Sequence, residues 1–192
     1  MERVTLGILG GVFDPPHNGH VALARAAIAQ LGLDRLLVLV VADPGHRGVE
    51  TPAETRLELA RLAFADVAGA NVELDPHPRT VDSLEARALD DPVFVIGADE
   101  LVDFQRWKRP ERVLELVRLG VARRPGVSDS TLASALASLP ASDRVVFFEL
   151  EPTAVSSTDV RARLAHGEPI EDLVPERVAQ EIARLGLYRD SE

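Results

Sequence analysis

Gly10-Gly11-Val12-Phe13-Asp14-Pro15-Pro16-His17-Asn18-Gly19-His20 is the stretch that decides the fold of this 192-residue chain. An apolar run, Val4 to Leu9, comes before it and reads as a buried strand. An apolar, alanine-rich run at helical spacing, Val21 to Leu31, comes after it. The stretch is therefore a strand-to-helix turn that holds glycines, prolines and two imidazoles together. Glycine lets a backbone approach a ligand and present its N–H groups. The helix that starts near Asn18 aims its positive end at the same place. His17 and His20 stand at i and i+3, so one helical turn can carry both toward one face. An anion, above all a phosphate, suits such a site. A tight turn with a helix cap would account for glycine and proline, but not for two histidines in register with them.

Working outward, the first helix spans about Asn18 to Leu31 and stops near Gly32. Leu36 to Val41 is a continuous apolar run, as in a strand covered on both faces of a parallel sheet. After the loop Asp43 to Gly48, Thr51-Pro52-Ala53-Glu54 reads as a capping box with proline at the first helical position. Its helix carries Leu57, Leu59-Ala60, Leu62-Ala63 and Phe64 on the apolar side. A short strand, Asn71 to Leu74, leads through Asp75-Pro76-His77-Pro78-Arg79 to a helix from about Thr80 to Leu89. Val93 to Ile96 is a further buried strand, ending in the loop Gly97-Ala98-Asp99. Trp107-Lys108-Arg109-Pro110 precedes a helix reaching Leu119, followed by a short strand at Val121-Ala122 and the loop Arg123 to Gly126. A helix near Ser130 to Leu139, a strand from Arg144 to Leu150, a helix capped by Ser156 to Asp159 and a last helix over Pro175 to Leu185 complete the chain.

Strands alternating with helices predict an α/β protein, a doubly wound parallel sheet in three α/β/α layers. One domain over 1–192 is expected, with 156–188 as its C-terminal helical part. No repeat, low-complexity tract or linker divides it. Hydrophobic content of 46% with 27% charged residues is ordinary for a globular protein. A net charge of −10 argues against a nucleic-acid-coating surface, which needs a basic stripe. The absence of cysteine removes disulfides and thiolate metal sites, and fits a cytoplasmic location. No apolar run reaches membrane-spanning length, and the direct entry into a strand leaves no room for a signal peptide.

In such a sheet, ligands sit at the carboxyl ends of the strands where strand order reverses. If the strands before Gly10-Gly11 and Gly97-Ala98-Asp99 are neighbours, their loops line one crevice. The Ser156-Ser157-Thr158 helix start with Arg161 would complete a phosphate clamp. Taken singly, each feature has a plainer reading. Glycine and aspartate are common after strands, a Ser-Ser-Thr run caps helices, helix arginines are usually solvated, and a lone tryptophan is usually core or lid. Arg47 and Arg124 sit in proline-glycine loops, where single arginines mostly face solvent. His46 and His77 lack metal-ligand spacing and read as structural, and His166 beside Gly167 reads as a helix C-terminus. Neither a Gly-x-x-x-x-Gly-Lys-Ser/Thr loop nor a Gly-x-Ser-x-Gly elbow occurs.

These residues resemble those of the HxGH nucleotidyltransferases. Within them the chain is similar to the bacterial nicotinate-mononucleotide adenylyltransferase family. The resemblance is carried by Gly10 to His20, Thr55 to Ala60, Val95 to Leu101, Trp107-Lys108-Arg109, Val121 to Gly126, Val155 to Arg161, and Val174-Pro175 through Gly186-Leu187-Tyr188. It covers essentially the whole chain. It implies a Rossmann-like nucleotidyltransferase fold and transfer of AMP from ATP to nicotinate mononucleotide, with release of pyrophosphate, in NAD biosynthesis. It implies that His17 and His20 act on the α-phosphate and that Arg47 adds charge to the triphosphate. It places Gly10, Gly11, Phe13, Ser157, Thr158 and Arg161 with the two histidines around ATP. It places Thr80, Gly97, Asp99, Trp107 and Arg124 around the acceptor. Mg²⁺ would arrive with ATP, since no carboxylate cluster offers a cage. The implied partners are ATP and a mononucleotide acceptor, not nucleic acid or membrane, and a homo-oligomer is allowed.

Two single positions and one loop depart from the family pattern. Arg47 replaces a lysine, Val12 replaces a small hydroxyl residue, and Pro76-His77-Pro78-Arg79-Thr80 replaces a longer loop with Ser-Tyr. Two alternatives follow: a related nucleotidyltransferase with a different phosphorylated acceptor, and a non-catalytic nucleotide-binding protein on the same fold.

Overall fold

The computed structural model describes residues 4–45, 49, 51–123, 126–153 and 155–189. Among these residues, six strands form one sheet: β1 Leu6–Gly11, β2 Arg35–Val41, β3 Ala70–Asp75, β4 Val93–Gly97, β5 Arg118–Arg123 and β6 Val145–Glu149. Their order is β3-β2-β1-β4-β5-β6, and every neighbouring pair is parallel. The order reverses between β1 and β4, so the expected crevice at their carboxyl ends exists.

Among the described residues, eight α-helices flank the sheet, the last two after the final strand: α1 Asn18–Leu31, α2 Ala53–Phe64, α3 Thr80–Arg87, α4 Ala98–Asp103, α5 Pro110–Leu116, α6 Asp129–Ala137, α7 Ser157–Ala165 and α8 Glu176–Leu185. They cover both faces of the sheet. One core packs α1, α2, α7 and α8 through residues such as Ala24, Leu59, Val160 and Val178 against Leu9, Val38 and Val95. The other packs α3 to α6 through Leu84, Leu101, Val113 and Leu132 against Ile8, Phe94 and Leu119. No helix among the described residues is long and apolar enough to cross a membrane.

The doubly wound α/β/α sheet is as expected, but several boundaries differ. β1 begins at Leu6 and continues through Gly10-Gly11, which pair with Leu39 and Val40, so the glycines end the strand rather than form the turn. Val4 lies outside it, 59% exposed. Thr51 does not cap α2: Pro52 occupies the cap position without a side-chain bond. The Thr51 carbonyl instead accepts a hydrogen bond from Arg56 Nε at 3.1 Å. The helix expected to reach Leu119 stops at Leu116, because Arg118 to Gly120 pair with Val93 to Val95. A Cβ on Gly120 would stand 2.7 Å from Leu31 Cδ1 and 2.9 Å from Val93 Cγ1, so a larger residue there would have to displace those side chains. Ala98-Asp99 is not loop but the first turn of α4, capped by Glu100 Oε2 accepting from Gly97 N–H at 2.9 Å.

Candidate active site

The turn from Val12 to His17 leaves the end of β1 and enters α1 at the switch point. Phe13 takes a left-handed backbone, φ 53°, and its buried ring folds back over the strand end. A Cβ on residue 11 would meet that ring at 2.8 Å, so Gly11 is demanded by Phe13. His17 is the N-cap of α1 and is 7% exposed; His20 is half-buried one turn later. Their rings stack, centroids 3.7 Å apart and 27° between planes. Gly19 makes this possible: a Cβ there would lie 3.0 Å from His17 Nδ1. The i, i+3 expectation thus holds in space.

The His17 backbone N–H donates to His20 Nδ1 at 3.2 Å. An accepting Nδ1 leaves His20 with its proton on Nε2, available as a donor. His17 Nδ1 is buried and has no hydrogen-bond partner among the described residues. Burial lowers the His17 pKa to about 4, partly opposed by the negative charge of Asp159. Burial also holds His20 well below the ordinary histidine value, and the nearby His17 adds to this. At neutral pH the free protein therefore carries two neutral imidazoles at a helix N-terminus whose first turn has no acidic residue.

The C-terminal helices close on the same turn. Asn18 N–H donates to Leu173 O at 2.9 Å. Ser156 caps α7 in a box with Asp159. Ser157 Oγ donates to Pro15 O at 2.9 Å, and Arg161 Nη1 donates to Asp14 O. Thr158 is exposed, with Oγ1 accepting from Arg161 Nη2 at 3.4 Å. Phe13, His17, His20, Ser157, Thr158 and Arg161 thus gather around one turn.

A cavity of about 770 Å³ opens on the other side of the glycine pair. Gly10, Gly11, Thr80, Asp99 and Trp107 line it, with His77, Arg79 and Lys108. Trp107 stands against Phe104 and Phe94, at centroid distances of 5.1 and 6.0 Å. Lys108 Nζ reaches both Asp82 oxygens at 2.9 Å. Gly97 is not in the lining, and its N–H is taken by Glu100. Arg47 and Arg124, and with them His46, lie outside the described residues.

Sequence reasoning gave no role to Arg56, Asp14 or Tyr188, which meet beneath the histidine turn. The one available signal was Arg56 itself, an arginine on the apolar face of α2, one turn before Ala60. His77, read as structural, stands on the cavity wall with Nδ1 2.9 Å from Asp75 Oδ1. His166 ends α7 as expected, its Nδ1 2.7 Å from Ala162 O.

A sheet of this order, with stacked histidines on the first helical turn at its switch point, belongs to the cytidylyltransferase-like class, whose family model matches residues 8–163. Curated relatives narrow the class. The "Probable nicotinate-nucleotide adenylyltransferase" of Roseiflexus sp. (strain RS-1) is 38% identical, covering 98% of this chain and 100% of its own. Its namesake in Bordetella petrii is also 38% identical, with the same coverage of 98% and 100%. The chain belongs to the nicotinate-nucleotide adenylyltransferase family, and is a nucleotidyltransferase. In fold, it matches the solved Plasmodium falciparum nicotinic acid mononucleotide adenylyltransferase complexed with NaAD at a TM-score of 0.80, with 16% identity over 97% of this chain and 98% of that one.

Proposed function

We propose that the protein joins ATP and nicotinate mononucleotide into a dinucleotide, releasing pyrophosphate. A phosphate oxygen of the acceptor attacks the α-phosphorus of ATP. The bond from that phosphorus to the bridging oxygen breaks, and pyrophosphate leaves with the electron pair. The attacking phosphate is already an anion, so no protein nucleophile or strong base is required. Positioning and charge stabilisation carry the catalysis.

The observation that carries this reading is the stacked His17–His20 pair sharing one turn with Ser157 and Arg161. His20 Nε2–H would donate to the α-phosphate, with His17 beside it. Both rings are neutral in the free protein. A bound triphosphate favours their protonated forms, so positive charge is recruited where negative charge develops. Ser157, Thr158 and Arg161 would hold the leaving phosphates, and Arg47 would add charge there. Thr80, Asp99, Trp107 and Arg124 would receive the acceptor, with Trp107 offering a ring face to the pyridine. Mg²⁺ belongs to the substrate, as MgATP; no group of three or more His, Cys, Asp or Glu among the described residues could hold a metal.

The short Pro76-His77-Pro78-Arg79-Thr80 loop, which contributes to the cavity wall, supports a second reading, in which another phosphorylated acceptor is used. Pyrophosphate release with ATP and, separately, nicotinate mononucleotide, nicotinamide mononucleotide and phosphopantetheine decides between them. Turnover with the first is expected. Turnover only with another favours the second reading, and ATP binding without any turnover favours a non-catalytic protein.

A further inference from the structure

Arg56 is the largest of the fully buried side chains among the described residues, 1% exposed. A cation at that depth persists only where its donors are matched. Nε donates to Thr51 O at 3.1 Å, Nη1 to Val12 O and Val41 O at 2.8 Å each, and Nη2 to Ala42 O at 2.8 Å. All four acceptors are main-chain carbonyls. They belong to the histidine turn, the end of β2 and the entry to α2; the β1–β2 ladder ends at Gly11 and Val40, and the guanidinium joins the segments just beyond it. One planar fork thus fixes them relative to one another.

The same helix touches the turn a second time. Phe64 of α2 packs edge-on against Phe13 at 5.7 Å, and Phe13 packs edge-on against His20 at 4.9 Å. Behind the turn, Asp14 is 7% exposed and accepts a 2.7 Å hydrogen bond from the Tyr188 hydroxyl. Asp14 supplies the nearby negative charge that favours the Arg56 cation against its burial. The Asp14 carbonyl also receives Arg161. The turn between Gly11 and His17 is therefore held from α2, from the C-terminal segment and from α7. Arg56 is not among the residues that line the acceptor cavity.

We propose that Arg56, with Tyr188 acting through Asp14, is a positioning residue for the His17–His20 pair. It touches no substrate. It holds the Val12 carbonyl, and so fixes where the stacked imidazoles stand relative to the triphosphate. Only the kinetic part of the test rests on the adenylyl-transfer reading.

The test compares full-length wild type with Arg56→Lys and Tyr188→Phe. Lysine keeps the charge but cannot span all four carbonyls; phenylalanine removes one hydrogen bond and little volume. In the ligand-free protein, the ring-proton resonances of His17 and His20 are expected to shift in both variants. In turnover, Arg56→Lys is expected to lower kcat about 10-fold or more with both KM values within about 3-fold, since displaced reacting groups lose rate before they lose binding. Tyr188→Phe is expected to change kcat in the same direction by about 3-fold. A lower Tm with unchanged ring resonances and unchanged kcat per folded molecule would overturn the proposal and leave Arg56 a purely structural cation. A rise in KM alone would overturn it too. If Arg56→Lys does not fold, Tyr188→Phe decides by the same readouts. If wild type turns over no acceptor, the functional reading fails, while the histidine resonances still decide this one.

Discussion

Around the histidine turn, polar groups are buried or half-buried and, His17 Nδ1 apart, matched: Arg56 meets four carbonyls, Tyr188 meets Asp14, and Ser157 meets Pro15. Across the crevice, the wall made by α3 and the Trp107 segment is laced by partly exposed ion pairs: Lys108 with Asp82, and Arg109 and Arg112 with Glu85. Buried matched groups are expensive to disturb, because a lost partner leaves a desolvated donor or acceptor behind. Exposed pairs contribute little and are screened by salt. The side that would transfer the adenylyl group is therefore fixed, while the acceptor wall can change its residues at small cost in stability. The departures from the family pattern at Pro76 to Thr80 fall on the second side.

The sharpest way to break this contrast is at His17. His17→Ala is expected to lower kcat by about 10²- to 10³-fold, the range for removing one donor to developing charge, with ATP affinity changed little. Pyrophosphate release and ATP titration measure the two separately. A large loss of affinity with kcat intact at saturation would move His17 from charge stabilisation to ground-state binding.

Acid should strain the histidine side. The folded protein holds the His17 pKa at about 4, against 6.5 for the unperturbed group. Between those values the unfolded chain binds a proton that the folded protein refuses. Stability must then fall as pH falls through that window, by up to about 3 kcal/mol from this group. Urea unfolding at pH 7 and pH 4.5 measures the slope, and His17→Gln should flatten it. Equal slopes in the two proteins would mean that His17 protonates without resistance.

A smaller effect is expected on the cavity side. Trp107→Ala removes a ring held between Phe104 and the cavity, so the acceptor KM should rise about 10-fold, the scale of one lost aromatic contact, with the ATP KM unchanged. An unchanged acceptor KM would assign Trp107 to packing alone.

The same contrast explains what could be read in advance. The meeting of His17, His20, Ser157 and Arg161 at one turn was legible because their spacing places them at helix starts. Strand alternation gave the sheet, since buried runs such as Leu36 to Val41 leave few other choices. Arg56 was not legible because its partners are carbonyls, which every residue has. The Asp14–Tyr188 bond was not, because 174 residues separate its ends. The stop at Leu116 depends on pairing with β4, and apolar spacing alone does not register a neighbouring strand. The cavity role of His77 was hidden because Asp75, its partner, is fixed by the end of β3 rather than by a motif.

The smallest expected effect is at Lys108. Its Nζ lies 2.9 Å from both Asp82 oxygens, with the two side chains 50% and 31% exposed. Coulomb attraction at that exposure is weak, and holding a long flexible side chain in place opposes it. Lys108→Ala should therefore lower unfolding stability by less than about 1 kcal/mol, and 0.5 M salt should remove most of the difference. A loss that is larger, or that survives salt, would mean that the wall at α3 is wired as the histidine turn is. The freedom of this side to vary would then need another explanation than weak exposed pairs.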